Sequence, residues 1–558
     1  MSQQFAEFLS SLPHSEVASD PVLPVDARRV AAWIDALPLA NAPAATAQLL
    51  EGLARLNRQS GDGSERLSVM DLVRRPVLMM VEVLDGQLIG TSFPLPPPKV
   101  AMASQLIALQ QGMAVGYRLA LREIAGSDGR VSFLRAKAAA TAATRASLHL
   151  AELLCRDYLI YASPGPGTWR DFHKLYAYAD AAGFVSKSVD DPLRRDLETS
   201  TSQNYLSALL HALSNPYRMA QRESVDAFAA CRVLAQRAVL LPRTNNTPNT
   251  VAIEFNKDEG PGYLPEERLD AGSADVFIDL DPVLAWLAHE TLGRAPTVPF
   301  ALKGKDVPSV TLTPEALARM TSSWRPAPIR NHARLTAGHH LDTLVGHSAL
   351  HHALSGGLDA DAIERSFGGE AQRLTANTAA SWSDRYGEPQ APQRHSALVL
   401  DQSLGGYRLE WDNVVGARLR VGEAVGLAPA GMADDETDWM VGLVRWMRIL
   451  PDGRVDAGVE LLSRQARAGA LSTYAVDQRK VQPLRVIAMR PSKGDGETRE
   501  LLVPNGVDRN AALFRLVLAP NPYDPTDQSE RERFSSYEQI ENNGVYLHVR
   551  PVAPESRS

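Results

Sequence analysis

The sequence predicts a multidomain α+β protein: an N-terminal all-α helical bundle or hairpin array, a small antiparallel β-barrel, and a second small β unit. Three observations predict it. Residues 25–241 are rich in Ala, Leu, Arg and Glu, with apolar residues recurring at helical spacing. After residue 394 the text changes to short apolar runs separated by turns containing Gly, Asp or Pro. Between the two lies a polar, Gly/Ala-rich stretch that resembles neither. A chain of 558 residues fits three or four domains, at about 150 residues each. The expected division is a helical region over 1–241, a mixed connector over 242–322, a barrel over 323–470 with an insertion at 353–393, and a small β domain over 471–558.

In the first region helices are expected at 26–38, 66–90, 99–125, 130–162, 168–183, 202–213 and 224–240, with breaks such as SFPLPPPK and SPGPG between them. Trp169, Phe172, Leu175, Tyr176 and Ala179 share one helical face, and Leu206, Leu209, Leu210 and Leu213 another; both stripes read as core. No repeat of fixed period supports a solenoid. In the connector TVAIEF reads as a strand. DPVLAWLAHETLGR and TPEALARMTSSW read as helices capped by Asp281 and Thr313, each followed by proline. The barrel strands are HSALVLDQS, GGYRLEW, ARLRVGEAVGLA, WMVGLVRWMRI and RVDAGVELL, with LPDGRV as a hairpin turn. PLRVIAMR, RELLVP, FRLVLA and GVYLHVR form the last unit, interrupted by the polar NPYDPTDQSERERF. Within the insertion one short helix is expected from Ala360 to Phe367.

Composition narrows the function. The formal charge is −7, which argues against a nucleic-acid coat or a membrane-surface protein but leaves room for one local basic patch. Two cysteines, Cys155 and Cys231, make no disulfide framework and fit a reducing cytoplasm. Neither a secretory leader nor an apolar run long enough for a membrane span is evident. Phosphate-loop and G-x-S-x-G motifs are absent, as are G-G-D-E-F and E-A-L in context. The sequence therefore reads as a binding protein rather than an enzyme.

RPAPIRNHARLTAGHH places Arg325, Arg330 and Arg334 within ten residues with no acid among them. Arginine offers a planar fork of donors that fits phosphate oxygens and the O6/N7 edge of guanine, and its face stacks on bases. DQSLGG, at a turn after a barrel strand, supplies Asp401, Ser403, Gly405 and Gly406. A carboxylate accepts from the guanine N1 and N2 hydrogens, which arginine cannot do. The arginines and Asp401 thus form the two halves of a guanine reader, with Ser403 adding a hydroxyl. The glycines leave room for a purine plane or for positive φ. RNHAR followed by DQSLGG resembles the RxxxR and DxSxxG signature of PilZ domains, receptors for cyclic di-GMP, and LRVGEAVGLA, VGLVRW and GVELL resemble the family's later strands. The resemblance covers about residues 323–470. It implies that Arg330 and Arg334 wrap over the barrel mouth and bind cyclic di-GMP against Asp401, Ser403, Gly405 and Gly406, with Arg325 as a further contact. The stretch from Arg334 to Asp401 is longer than the family's usual spacing.

His332, His339, His340, His347, His351 and His352 crowd that stretch. His347 and His351 would share a helical face, as metal ligands can, but no ordered set of acids or cysteines completes a site, and strand or surface histidines are expected. The expected function is that of a cytoplasmic cyclic di-GMP effector or adaptor, relaying the nucleotide to a protein partner through the helical region in motility, attachment or biofilm control. No nucleic-acid polymer is expected as a partner. The alternative is a nucleotide-independent scaffold built on the same barrel.

Overall fold

The computed structural model describes residues 2–552 except 15, 195–197, 243–250, 264–273, 294–298, 303–309, 327–334, 369–391, 413–415, 417, 434–436, 475–481, 491–497, 508–510 and 525. The chain forms two compact units. One comprises residues 1–91 and 95–328, the other residues 92–94 and 329–558.

The first unit is helical: α1 (Gln3–Ser10), α2 (Ala27–Asp35), α3 (Ala42–Asn57), α4 (Gly63–Leu88), α5 (Pro97–Ile124), α6 (Ala136–Leu159), α7 (Thr168–Ala181), α8 (Thr201–Leu213) and α9 (Gln221–Leu234). After them come α10 (Asp281–Thr291) and α11 (Pro314–Ser323). Helix α3, which the periodicity did not single out, opens with Asn41 accepting from the Ala44 amide and with proline in its first turn. Thr313 caps α11 as expected, accepting from Ala316. Asp281 does not cap α10: it is the first helical residue, and its amide donates to Asp279 instead. Small strands accompany the helices. β1 (Val189–Asp190) and β2 (Glu198–Thr199) form a hairpin. β3 (Val239–Pro242), β4 (Val251–Ile253), β5 (Gly262–Tyr263) and β6 (Val276–Asp279) form an antiparallel sheet. β7 (Phe300–Leu302) pairs with β8 (Val310–Leu312).

Helix α6 runs through the middle of this unit. Its alanines 139, 140, 142, 143, 146 and 151 are buried and let neighbouring helices come close. The expected stripes are core: Phe172, Leu175, Leu209 and Leu210 are fully enclosed. The same helix carries Arg145, His149 and Glu152 into the interior. Burying a charge is tolerable only when it is paired. Arg74 of α4 holds Asp191 in a two-toothed pair at 2.8 and 2.5 Å. Arg145 adds a contact to Asp191 at 3.2 Å and donates to the Asp190 carbonyl at 2.7 Å. Glu152 meets Arg194 and Arg156, and Arg156 reaches Asp85 at 2.8 Å. Burial alone would raise the Asp191 carboxyl, but the hydrogen bond and charge of Arg74, with Arg145 and Arg194, hold it below its ordinary range. These pairs fasten the segment after β1 onto α4 and α6.

The second unit contains two β layers. β10 (His340–Val345), β11 (His395–Ser403), β12 (Gly406–Trp411), β13 (Ala424–Pro429), β14 (Met440–Ile449) and β15 (Val455–Ser463) close into an antiparallel barrel in the cyclic order β10-β13-β14-β15-β12-β11, with β11 returning to β10. β9 (Leu335–Thr336) adds to β11. LPDGRV makes the β14–β15 turn, with the Leu450 amide donating to Arg454 and Gly453 at φ 86°. The chain leaves this sheet at Ser463 and enters a second one at Ala466. That sheet contains β16 (Ala466–Tyr474), β17 (Leu484–Met489), β18 (Glu500–Pro504), β19 (Leu513–Leu518), β20 (Glu530–Phe534), β21 (Ser536–Asn542) and β22 (Tyr546–Val552), in the order β20-β19-β16-β17-β18-β22-β21. β20 lies inside the stretch expected to be a polar interruption; ERERF pairs along β19 as a charged edge strand, which discourages further pairing.

Two helices join these layers. α12 (His347–Leu354) is wedged where Leu344, Ala424, Val441 and Leu443 of the barrel meet Ile487, Met489 and Leu502 of the second sheet, and its Leu350 joins that cluster. α13 (Ala360–Phe367) falls where the sequence placed it, but it is packed: Ala360 and Ile363 sit on Ala468, Ala470 and Val517. The first part of the supposed flexible insertion is therefore ordered structure, and 369–391 lie outside the described residues.

The histidine run also needs correcting. His340 is an exposed strand residue, but His347 and His351 are neither strand nor surface residues. They stack one helical turn apart, and their Nε2 atoms lie 3.2 Å from the Leu502 carbonyl and 3.0 Å from the Gly469 carbonyl. Carbonyls only accept, so each Nε2 carries the proton and serves as a donor. Burial pushes both rings down to about 4. No group of three or more metal-ligating side chains is placed to hold an ion among the described residues, and no described helix is long and apolar enough to cross a membrane.

Two measurements check this architecture. Asp191→Ala leaves two buried guanidiniums without their carboxylate and should cost about 3–5 kcal/mol, read as a lower urea midpoint; a change under about 1 kcal/mol would show that the pair is not structural. His347 and His351 have folded-state values below the unfolded one, so the unfolded chain binds more protons in the acid range. Their stabilising contribution should be complete above about pH 6.5 and lost as pH falls through about 4. Amide protection factors at β16 and β18, corrected for the intrinsic pH dependence of exchange, should fall over that window, and unchanged protection between pH 7 and pH 4 would contradict the burial of the two neutral rings.

Candidate functional site

The DQSLGG turn joins β11 to β12. A register shift lies between Val399 and Asp401 on β11, after which Asp401 faces Arg408 across the pair, Gln402 faces Tyr407 and Ser403 faces Gly406. Such a bulge re-aims the side chains that follow it. Ser403 Oγ accepts from the Gly405 amide at 3.3 Å and lies 3.4 Å from the Gly406 carbonyl, so the hydroxyl stiffens the turn from within.

The two glycines differ. A Cβ on Gly405 would meet nothing within 4 Å, so this position faces open space. Gly406 has φ 150°, and a Cβ there would lie 2.1 Å from the Val459 carbonyl oxygen. Gly406 is thus required by the close approach of the β15 backbone rather than by room for a ligand.

Asp401, Ser403, Gly405 and Gly406 line an open groove of about 270 Å³ on the barrel, together with Tyr407, Arg445, Trp446, Gly458, Val459 and Glu460. Trp446 is half-buried and rests on Gly458, where a Cβ would come within 2.0 Å of the indole nitrogen. Glycine at 458 therefore allows an aromatic ring to lie along the groove wall. Arg445, which lines the groove, and Arg408, beside Trp446, are both engaged. Arg408 pairs with Asp456 at 2.9 and 2.8 Å, and its guanidinium sits 6.0 Å from the Trp446 ring. Arg445 donates to Glu460 at 2.7 Å and grips Glu541 at 2.6 and 2.8 Å. Burial works against the Arg445 charge, but these carboxylates raise its pKa above the ordinary value, so it stays charged and tied.

Arg330 and Arg334 lie outside the described residues, which resume at Leu335. There β9 runs beside β11, with Leu335 opposite Gln402 and Thr336 opposite Asp401. Arg325 is described and exposed; it follows Trp324, whose indole donates to the Leu210 carbonyl and to Ser214 in the helical unit. The structure thus gathers Asp401, Ser403, Gly405 and Gly406 and leaves Arg325 in the other unit. Sequence reasoning assigned no role to Trp446, Gly458 or Arg445. A glycine inside an apolar strand, with an aromatic one strand away, is the available signal.

The closed six-stranded antiparallel barrel with its D-x-S-x-x-G turn at an open groove has the architecture of a PilZ domain, and a PilZ-domain family model matches this part of the chain. The middle PilZ domain of the cyclic-di-GMP receptor FimW matches residues 359–468, and the N-terminal domain of the same receptor matches residues 28–244. The PilZ match begins beyond Arg330 and Arg334. The chain is 26% identical over 506 residues to the cyclic-di-GMP receptor FimW of Pseudomonas aeruginosa, covering 82% of this chain and 80% of that protein. No solved structure matches it significantly.

The two glycines separate backbone need from open space. Gly406→Ala should lower stability by on the order of 1–3 kcal/mol, because a backbone carbonyl cannot swing aside. Gly405→Ala should stay within about 0.5 kcal/mol of wild type. Thermal unfolding of both variants checks this, and equal melting temperatures would refute the distinction.

Proposed function

We propose that the chain is a cyclic di-GMP receptor whose ligand sits in the groove of Asp401, Ser403 and Trp446 and is closed over by Arg330 and Arg334. One observation carries the reading. The groove offers an acceptor for guanine N1–H and N2–H, a hydroxyl and an aromatic ring, while the arginine that lines it, Arg445, is bound to carboxylates. Two ligand phosphates need cations. The segment that enters β9 carries them in sequence, and covalent bonding keeps Arg334 next to Leu335, about 3.8 Å away at Cα, where β9 runs beside Asp401 and Gln402. The naming of the FimW relative as a cyclic-di-GMP receptor supports the same ligand.

In this reading the chain binds and relays rather than catalyses, and it works in the cytoplasm. The parts are a helical region over 1–241, a connector over 242–322, the barrel over 323–470 and a small β domain over 471–558. Nucleotide orders the arginine segment, and the helical region passes the change to a protein partner in motility, attachment or biofilm control. A nucleotide-independent scaffold is the competing reading.

Calorimetric titration of the full chain with cyclic di-GMP at fixed salt decides between them. Arg330→Ala and Arg334→Ala should each weaken binding roughly 10- to 150-fold, the loss of one charge-assisted contact of about 1.5–3 kcal/mol. Arg→Lys at either position should rescue poorly, because an ammonium neither forks across a guanine edge nor stacks on its face. Asp401→Ala should also weaken binding, and Arg325→Ala should cost less. Wild-type affinity in both Arg→Ala proteins would put the site elsewhere, and no binding by the wild type would favour the scaffold.

A further inference from the structure

The connection between α5 and α6 carries Phe133 and Leu134 at 93% and 92% exposure, the most exposed large apolar side chains among the described residues. Two adjacent apolar groups held in water oppose the hydrophobic effect unless something covers them. They are not on a loose loop. The Gly126 amide donates to the Arg130 carbonyl and the Gly129 amide to the Gly126 carbonyl, closing a tight turn with Gly129 at φ 83°. Tyr178 donates its hydroxyl to the Gly129 carbonyl at 2.9 Å, a Cβ on Gly129 would strike the Phe5 ring, and Val131 packs against the core. The base is anchored to the bundle. The tip is a 3₁₀ turn, Phe133–Arg135, with no buried residue.

From Gly129 to Lys137 the charged residues share one sign. Arg130, Arg135 and Lys137 flank the apolar pair, and all three are exposed. Arg135 reaches the Ile124 carbonyl only at 3.5 Å. Asp128 sits 3.5 Å from Arg130, and in the sequence no acid lies between Gly129 and Lys137. The chain as a whole carries −7, so this is a basic patch on an acidic protein.

We propose that residues 130–137 are a docking tip for an anionic lipid bilayer, with Phe133 and Leu134 entering the interface and Arg130, Arg135 and Lys137 meeting headgroup phosphates. A protruding apolar pair ringed by cations fits that boundary, where aromatic and aliphatic groups lie below the level of the charges. Attraction of cations to an anionic leaflet supplies the rest and fades within a Debye length. Two apolar side chains and three cations give reversible attachment, not a fixed anchor. The inference is independent of nucleotide binding.

The test is sedimentation of the full chain with phosphatidylglycerol–phosphatidylcholine vesicles and with phosphatidylcholine vesicles. The wild type should partition onto the anionic vesicles at low salt, much less onto neutral ones, and should be released at about 0.5 M salt. Phe133→Ser with Leu134→Ser should lower the partition roughly tenfold or more, as should Arg135→Glu with Lys137→Glu. Circular dichroism should be unchanged, since Phe133 and Leu134 are almost wholly exposed and Arg135 makes only a long contact with the Ile124 carbonyl. Phe133→Trp gives a second reading: vesicles containing brominated lipid should quench the added emission. Failure of the wild type to sediment with anionic vesicles, equal partition of both double variants, or an unquenched Phe133→Trp would each overturn the proposal; the latter two would leave the tip a site for protein.

Discussion

Closure of the barrel rests on the pairing of β10 with β11, in which His340 through Thr343 run antiparallel to Leu398 through His395. Without it the other strands would form an open sheet with two unpaired edges. A short chain of hydrogen bonds locks the seam from inside: Thr343 donates to the His395 carbonyl at 2.8 Å, and the Trp411 indole donates to Thr343 at 3.0 Å. Because β10 precedes β11 by a long stretch of chain, the seam also sets where that chain must start. It brings β9 to the end of β11 that bears Asp401 and Gln402. The geometry of the candidate site is a consequence of how the barrel closes.

The two units handle interior polarity differently. In the helical unit, arginines and carboxylates from α4, α6 and the segment after β1 are paired in the interior, so the unit tolerates charge only while the network is whole. In the β unit, the polar groups between the barrel and the second sheet include the Arg445–Glu541 pair and, around α12, neutral donors. His347 and His351 satisfy carbonyls of the second sheet at 3.2 and 3.0 Å, and Tyr546 stacks on His347 and donates to Glu423. One arrangement depends on complete ion pairing, the other on keeping imidazole uncharged.

The groove combines rigid parts. Gly406 admits the β15 backbone, Gly458 admits the Trp446 ring, and Ser403 braces the turn between Asp401 and Gly405. Arg445 builds its wall through Glu460 and Glu541, an arrangement suited to shape rather than to charge capture.

The sequence alone determined a good deal. Helical spacing marked most of the bundle, HSALVLDQS coincides with β11, Ala360–Phe367 coincides with α13, and the D-x-S-x-x-G turn lies within the stretch that a PilZ-domain model matches. Those signals are local: periodicity, turn chemistry and a motif whose residues are close in the chain. Other features were decided only by tertiary structure. Helix α3 and strand β20 have weak or highly charged patterns that gain their place by packing and pairing. His347 and His351 read as surface residues because burial of an imidazole depends on carbonyls more than a hundred residues away, at Leu502 and Gly469. Trp446 and Gly458 become one wall only when β14 and β15 pair, since their closeness comes from register and not from spacing in the sequence.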